Sequence, residues 1–238
     1  MTVDILAFAA HPDDVELSAS GTILRHIALG KTAAVVDLTQ GELGSRGTVE
    51  TRYNEAADAS KIMGLSAREN LQMADGFFEV TEENKLKVVE QIRRFRPTVV
   101  LANAISDRHP DHGRASQLVR EAVFLAGLRR IETTWHGQSQ EPWRPKSLFF
   151  YIQDRYIQPD LVVDISDVIE AKINCIKAYK TQFYDPDSTE PLTPISGADF
   201  FDFLKGRWKE YGRIIGVEYA EGFTVERVPG IQDLTELL

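Results

Sequence analysis

The chain has 238 residues, 43% hydrophobic and 26% charged, enough for one substantial core and short for two, so a single domain spanning 1–238 is expected. The formal net charge is −9 and no block of Lys or Arg interrupts the sequence, which argues against a nucleic-acid groove or an anionic membrane surface and for a small-molecule ligand. The single cysteine, Cys175, can form no internal disulfide and suits a reducing compartment as a packing residue. The N-terminal apolar run is too short for a signal or a membrane span and is broken by His11, so a cytoplasmic location is expected.

Taken in order, strand and helix patterns alternate. Residues 3–10 read as a strand buried on both faces, and Val15 to Leu29 as one helix, with Val15, Ala19, Ile23 and Ile27 on one side and Gly30 as its stop. A second strand runs from Lys31 to Thr39, followed by a glycine-punctuated loop, Gln40 to Thr48, and a helix over 50–63 that ends at Gly64. Residues 70–73 read as a short strand, Thr81 to Phe95 as a helix closed by Pro97, Val99 to Ala102 as a third strong strand, and the residues up to Gly127 as a helix. In the C-terminal third, 147–152 and 161–165 read as strands and 167–180 and 198–211 as helices, with a Pro- and Asp-containing loop over 184–194. This βαβα order predicts an α/β fold with a mostly parallel sheet covered by helices.

The chemistry is concentrated in loops that follow strands. His11-Pro12-Asp13-Asp14 follows the first strand, Glu42 to Arg52 the second, and Asp107-Arg108-His109-Pro110-Asp111-His112 the third strong one. Parallel strands place these loops on one edge of the sheet, where ligands bind in open α/β folds. His11 and Asp14, with one of His109 or His112, would then supply two imidazoles and a carboxylate, the donor set of a catalytic zinc with an open position. Capping is the competing explanation, since Asp13, Asp14 and Asp111 all open helices. Two His-Pro-Asp tripeptides in the same strand-to-helix setting favour the metal. His26 and His136 lie outside these motifs and read as surface or packing residues.

The two motifs together resemble the zinc-dependent N-acetylglucosamine de-N-acetylases of the PIG-L/LmbE-like family. Further segments, Gly41 to Thr48 with Arg52, Tyr179 to Tyr184, and Ile215 to Phe223, are similar to the branch that deacetylates N-acetylglucosaminyl malate in bacillithiol synthesis. The resemblance implies a Rossmann-like single domain with helices on both faces of the sheet. No nucleotide is expected, because Gly41-x-x-Gly44-x-x-Gly47 lacks the dinucleotide spacing. It further implies His11, Asp14 and His112 as ligands of Zn2+, with Fe2+ fitting the same donors in a reducing cell. Asp13 would be the general base, and His109, protonated and held by Asp111, would stabilise the oxyanion. Arg52 and Arg108 are candidates to fork the malate carboxylates, with Glu42 or Gln40 fixing the sugar. Some relatives have a tyrosine near the substrate in the segment before the last helix, where this chain reads Ala198-Asp199-Phe200-Phe201-Asp202, so this chain would do without that hydroxyl or use Tyr184 instead. A homo-oligomer, a hexamer in relatives, is also implied.

Two other classes compete with the deacetylase. His11-x-Asp13 plus a distant His also meets the donor rule of a non-haem iron oxygenase, although the alternating strands and helices and the second Asp argue against it. A non-catalytic metal or sugar binder would have no use for Asp13. Within the deacetylase reading, a mycothiol-type or chitooligosaccharide N-acetylglucosaminide is the alternative substrate.

Overall fold

The computed structural model describes residues 1–233, 235 and 237. Its elements in chain order are β1 (Ile5–Ala9), α1 (Asp14–Ser18), α2 (Ser20–Ala28), β2 (Ala33–Thr39), α3 (Val49–Met63), β3 (Ala67–Met73), α4 (Glu82–Phe95), β4 (Val99–Ala102) and α5 (Pro110–Ala126). There follow a small hairpin of β5 (Thr134–Trp135) and β6 (Gln138–Ser139), then β7 (Ser147–Tyr151), β8 (Leu161–Asp164), α6 (Ile169–Lys177), α7 (Phe200–Ile215) and β9 (Ala220–Val225). Seven strands form one sheet in the order β3-β2-β1-β4-β7-β9-β8. The pairs from β3 through β7 are parallel, whereas β9 runs antiparallel to both β7 and β8. The expected α/β architecture, with a mostly parallel sheet and helices on both faces, is the one observed.

Period-two alternation in β1 divides the core. Leu6 and Phe8, with Val36 and Leu38 of β2, pack with Val88, Ile92 and Phe95 of α4 and Leu118 of α5. Ile5, Ala7 and Ala9 face the opposite way and pack with Val15, Ile23 and Val35. A strand buried on both faces is apolar throughout, which is why β1 and β2 were legible.

The helix expected over 15–29 is two helices, broken at Ala19, whose φ of −140° is not helical. A buried ion pair occupies the break. Glu221 of β9 accepts hydrogen bonds from the freed amides of Gly21 and Thr22 (2.9 and 2.7 Å), and Lys172 of α6 donates to the carbonyls of Glu16 and Leu17 (3.0 and 2.8 Å). Lys172 and Glu221 themselves meet at 2.7 Å, both essentially inaccessible to water. The backbone groups orphaned by the break are thus satisfied from elements about 150 to 200 residues away. The helices expected over 167–180 and 198–211 occupy 169–177 and 200–215 instead.

Two strands departed from their sequence reading. β3 begins at Ala67 rather than 70 because Arg68, polar in pattern, is buried between Asp37, which it grips through Nε and Nη2 at 2.7 and 2.9 Å, and Glu16. β9 was missed, since its Glu221 and Gly222 break an apolar run. Gly222 is required there: a Cβ would lie 3.0 Å from the Tyr211 ring. Among the described residues no helix is long and apolar enough to cross a membrane.

Candidate metal centre and active site

Because β1, β2, β3, β4 and β7 are parallel, the segments that leave their carboxyl ends converge on one edge of the sheet. A cavity of about 350 Å³ opens there, lined at one end by His11, Asp13, Asp14, Asp75, His109 and His112. Ile195 and Phe200, Phe203, Leu204 and Trp208 of α7 add an apolar wall, joined by Arg207 and Tyr211 of the same helix.

Asp14 sits at the centre of the polar end. Its Oδ2 accepts from the His11 amide and from Asn103 Nδ2, both at 2.9 Å, and lies 3.6 Å from His11 Nδ1; its Oδ1 is 3.1 Å from His112 Nε2. The other nitrogen of each imidazole is held by carboxylates. His11 Nε2 meets Asp75 Oδ1 at 3.0 Å and Asp111 Oδ2 at 3.3 Å, and His112 Nδ1 meets Asp107 Oδ2 at 2.5 Å. Carboxylates on the far nitrogens turn His11 Nδ1 and His112 Nε2 toward Asp14, the arrangement by which proteins orient metal-binding histidines. The donor set therefore fits a divalent ion such as zinc. Ligand atoms of His11, His109 and His112 also lie within 4.8 Å of one another, as do those of His11, Asp75 and Asp111. His11 Nε2 is the atom engaged by that second trio, which accounts for it as the support of the imidazole.

The electrostatics follow the geometry. Burial works against the His112 cation, but Asp14 and Asp107 outweigh it and lift its pKa to about 9. Burial likewise opposes the His11 cation, and hydrogen bonds to Asp111, Asp14 and Asp75 raise its pKa well above the usual imidazole range. Asp14 is held far below the carboxylate range by the two imidazoles despite its burial.

Asp13 differs from its neighbour in every respect. It occupies the residue before α1 with φ 110°, a left-handed conformation costly for any residue but glycine, and its side chain makes no capping hydrogen bond. The helix-capping explanation therefore fails for Asp13. Its carboxylate lies 3.4 Å from Arg52 Nη2. Burial pushes its pKa up to about 7, against the pull of Arg52.

The remaining predicted residues fall into place less simply. His109, not Asp111, caps α5: its Nδ1 accepts from the Asp111 amide at 3.3 Å. That bond leaves the proton on Nε2, and burial together with the two neighbouring imidazoles lowers the His109 pKa. The expected protonated His109 held by the Asp111 side chain is thus replaced by a neutral donor. Asp111 is fully buried and does not line the cavity; it accepts from the Gly76 amide at 2.8 Å and pairs with Arg114 at 2.9 Å. It acts through His11. Arg52 is committed to Asp13, to the Pro12 carbonyl at 3.3 Å and to Gln182 Oε1. Gly41, at φ 66°, makes room for it, since a Cβ would come within 2.5 Å of Nη1. Arg108 lines the cavity, half-exposed, with only Nε engaged, on Asp154 at 3.0 Å. Glu42 is exposed and outside the lining; its Oε1 accepts from the Asp75 amide at 2.8 Å and fixes that turn. Tyr184 is half-exposed in a separate groove, so it does not replace the missing tyrosine, and Phe200 keeps the wall apolar there.

Asp75, Asn103 and Gln153 were missed. Asp75 had a faint signal, an Ala-Asp-Gly turn after a strand. Asn103 and Gln153 had none. His26 bonds its own helix at Thr22 and His136 sits in the β5–β6 turn, both away from the cavity.

The model of the PIG-L family, GlcNAc-PI de-N-acetylase, matches residues 6–123. The diacetylchitobiose deacetylase of Thermococcus kodakarensis is 30% identical over 237 residues, covering 95% of this chain and 84% of that protein. The chain belongs to the PIG-L family. Another relative, a probable N-acetyl-alpha-D-glucosaminyl L-malate deacetylase 2 of Bacillus subtilis, is 23% identical over 199 residues, 76% of this chain and 84% of that one. The crystal structure of a conserved protein from Thermus thermophilus superposes with a TM-score of 0.86 at 37% identity, covering 98% and 99% of the two chains. Both tripeptide motifs of this PIG-L chain fall inside the matched region, whereas α7 and its apolar wall lie beyond it.

Proposed function

We propose that the chain is a zinc-dependent hydrolase that removes acetate from an N-acetylglucosaminide, with N-acetylglucosaminyl malate as its substrate. The observation that carries this reading is the division between two adjacent carboxylates. Asp14 is ringed by donors and by two oriented imidazoles, while Asp13, in the same cavity, is held only by Arg52. A binder needs the first; only a catalyst needs the second.

The ion would be held by His11, Asp14 and His112, and when bound it polarises the acetyl carbonyl and acidifies water, to a pKa of about 7 in favourable sites. Asp13 takes the proton of the attacking water, and the charge of a bound ion would favour its ionised form before attack. His109 donates its Nε2–H to the oxyanion as a neutral imidazole, a contribution of about 2.7–4 kcal/mol per donor in such sites. As the C–N bond breaks, the protonated Asp13 returns its proton to the departing amine. His109 is poorly suited to that step, because its surroundings disfavour the cation.

The malate aglycone is supported by Arg108. Among the described residues no hydrogen bond within the chain uses its two Nη groups, so they are free to receive a carboxylate side by side. Arg52 positions Asp13 instead. The alternative substrates, mycothiol-type and chitooligosaccharide glycosides, differ at the same end of the cleft.

Amine release from N-acetylglucosaminyl malate, N,N′-diacetylchitobiose and free N-acetylglucosamine, by metal-quantified protein, tests the reading. Turnover fastest on the malate glycoside and weakened by Arg108→Ala is expected. Faster turnover of chitobiose would move the assignment to the alternative, and none on any N-acetyl sugar would end the deacetylase reading.

A further inference from the structure

The orientation of Gln153 is dictated by backbone amides that have no choice of partner. Asn103 Oδ1 accepts from the Ala10 amide at 2.9 Å, which turns Asn103 Nδ2 toward Asp14 Oδ2 and Gln153 Oε1 (2.9 and 3.0 Å). The Ala104 amide donates to the same Gln153 Oε1 at 3.1 Å. Gln153 Nε2 is thereby aimed at Asp14 Oδ1, 3.0 Å away, and stands 3.4 Å from His112 Nε2. Its backbone is clamped as well: Arg207 of α7 donates to the carbonyls of Gln153 and Asp154 at 3.0 and 3.1 Å.

Counting donors around Asp14 shows the consequence. Oδ2 already receives two N–H groups, from His11 and Asn103, and Oδ1 receives one, from Gln153. A carboxylate oxygen accepts about two hydrogen bonds, so one lone pair remains, on Oδ1. From this geometry we infer that Gln153 is a positioning residue of the metal centre: with Oδ2 filled by His11 and Asn103, it takes one lone pair of Oδ1 and leaves the other for the ion, fixing the direction from which Asp14 binds. The inference rests on the proposed metal site. Loss of such an outer partner typically costs about 10–100-fold in metal affinity.

Cobalt(II) is the probe, because its visible absorption reports coordination number while a competing chromophoric chelator reports affinity. Gln153→Leu removes the donor and is expected to weaken cobalt binding about tenfold or more, with a changed visible spectrum as the Asp14 carboxylate, no longer held at Oδ1, alters its direction of approach. Gln153→Glu keeps the acceptor for Asn103 and Ala104 but puts an anion beside Asp14. It is expected to bind cobalt more tightly than wild type, with the weak absorption of a higher coordination number. Opposite shifts from the two variants support the assignment. Spectra and affinities equal to wild type, or weakening in both with the wild-type spectrum, would overturn it and leave Gln153 a packing residue. Failure of the wild-type protein to bind cobalt would overturn the metal site itself.

Discussion

On the β1 and β4 side of the cleft nearly every polar atom is already engaged: the His11, His112 and Asp14 side chains are each fixed by two or more partners. The α7 side is mostly apolar, with Phe203 46% exposed beside the buried Phe200, Leu204 and Trp208, and Arg207 its one lining cation among the described residues. The first wall is built to hold charge in place before a substrate arrives, which is how preorganised sites lower a barrier. The second offers mainly apolar area, so it bears on what is bound and little on the chemistry. The one charged pair behind the second wall, Lys172 and Glu221, is spent on the α1–α2 break, with the ammonium 4.7 Å from the Trp208 ring.

Substitutions in the two walls should therefore have different signatures. Asp13→Gly relieves the left-handed backbone and removes the base. Turnover is expected to fall about 10²–10⁴-fold while stability in urea rises by about 1 kcal/mol; a parallel loss of both would show that Asp13 is structural. Lys172→Met leaves Glu221 charged and buried, and should cost about 3–5 kcal/mol in the same denaturation assay, partly restored by adding Glu221→Gln. An unaltered midpoint would mean that the helix break does not depend on the pair. A third test uses pH. Without the ion His112 holds a proton below a pKa of about 9 and His11 holds one well above the usual imidazole range, and the ion must displace both, so zinc affinity should climb by about tenfold or more per unit from pH 7 to 9. A flat profile over that range would remove His112 from the ligand set. Phe203→Ala, on the apolar wall, should alter KM a few-fold at constant kcat, about 1 kcal/mol or less. Tyr184→Phe should change neither.

The sequence exposed the first wall and concealed most of the second. His11, Asp13, Asp14, His109 and His112 lie in two short turns whose strands are apolar on both faces, so local pattern and topology sufficed to bring them together. The start of β3 at Ala67 was hidden because the burial of Arg68 depends on Asp37 and Glu16, partners that only the folded sheet supplies. Gln153 and Asn103 owe their roles to the amides of Ala104 and Ala10, contacts with no signature in residue type. Asp111 illustrates a subtler loss: its place in a His-Pro-Asp motif suggested chemistry, yet Pro110 turns it into the helix and beneath His11. The helix break at Ala19 was hidden for the same reason, since its caps come from β9 and α6.

In the proposed mechanism the adjacent carboxylates have separate duties, one to the ion and one to the proton. Zinc content and deacetylation by Asp13→Asn and Asp14→Asn, prepared side by side, test it most directly. Asp13→Asn should keep one zinc per chain and lose turnover, and Asp14→Asn should lose the zinc; zinc lost from Asp13→Asn, or retained with full affinity by Asp14→Asn, would contradict the division.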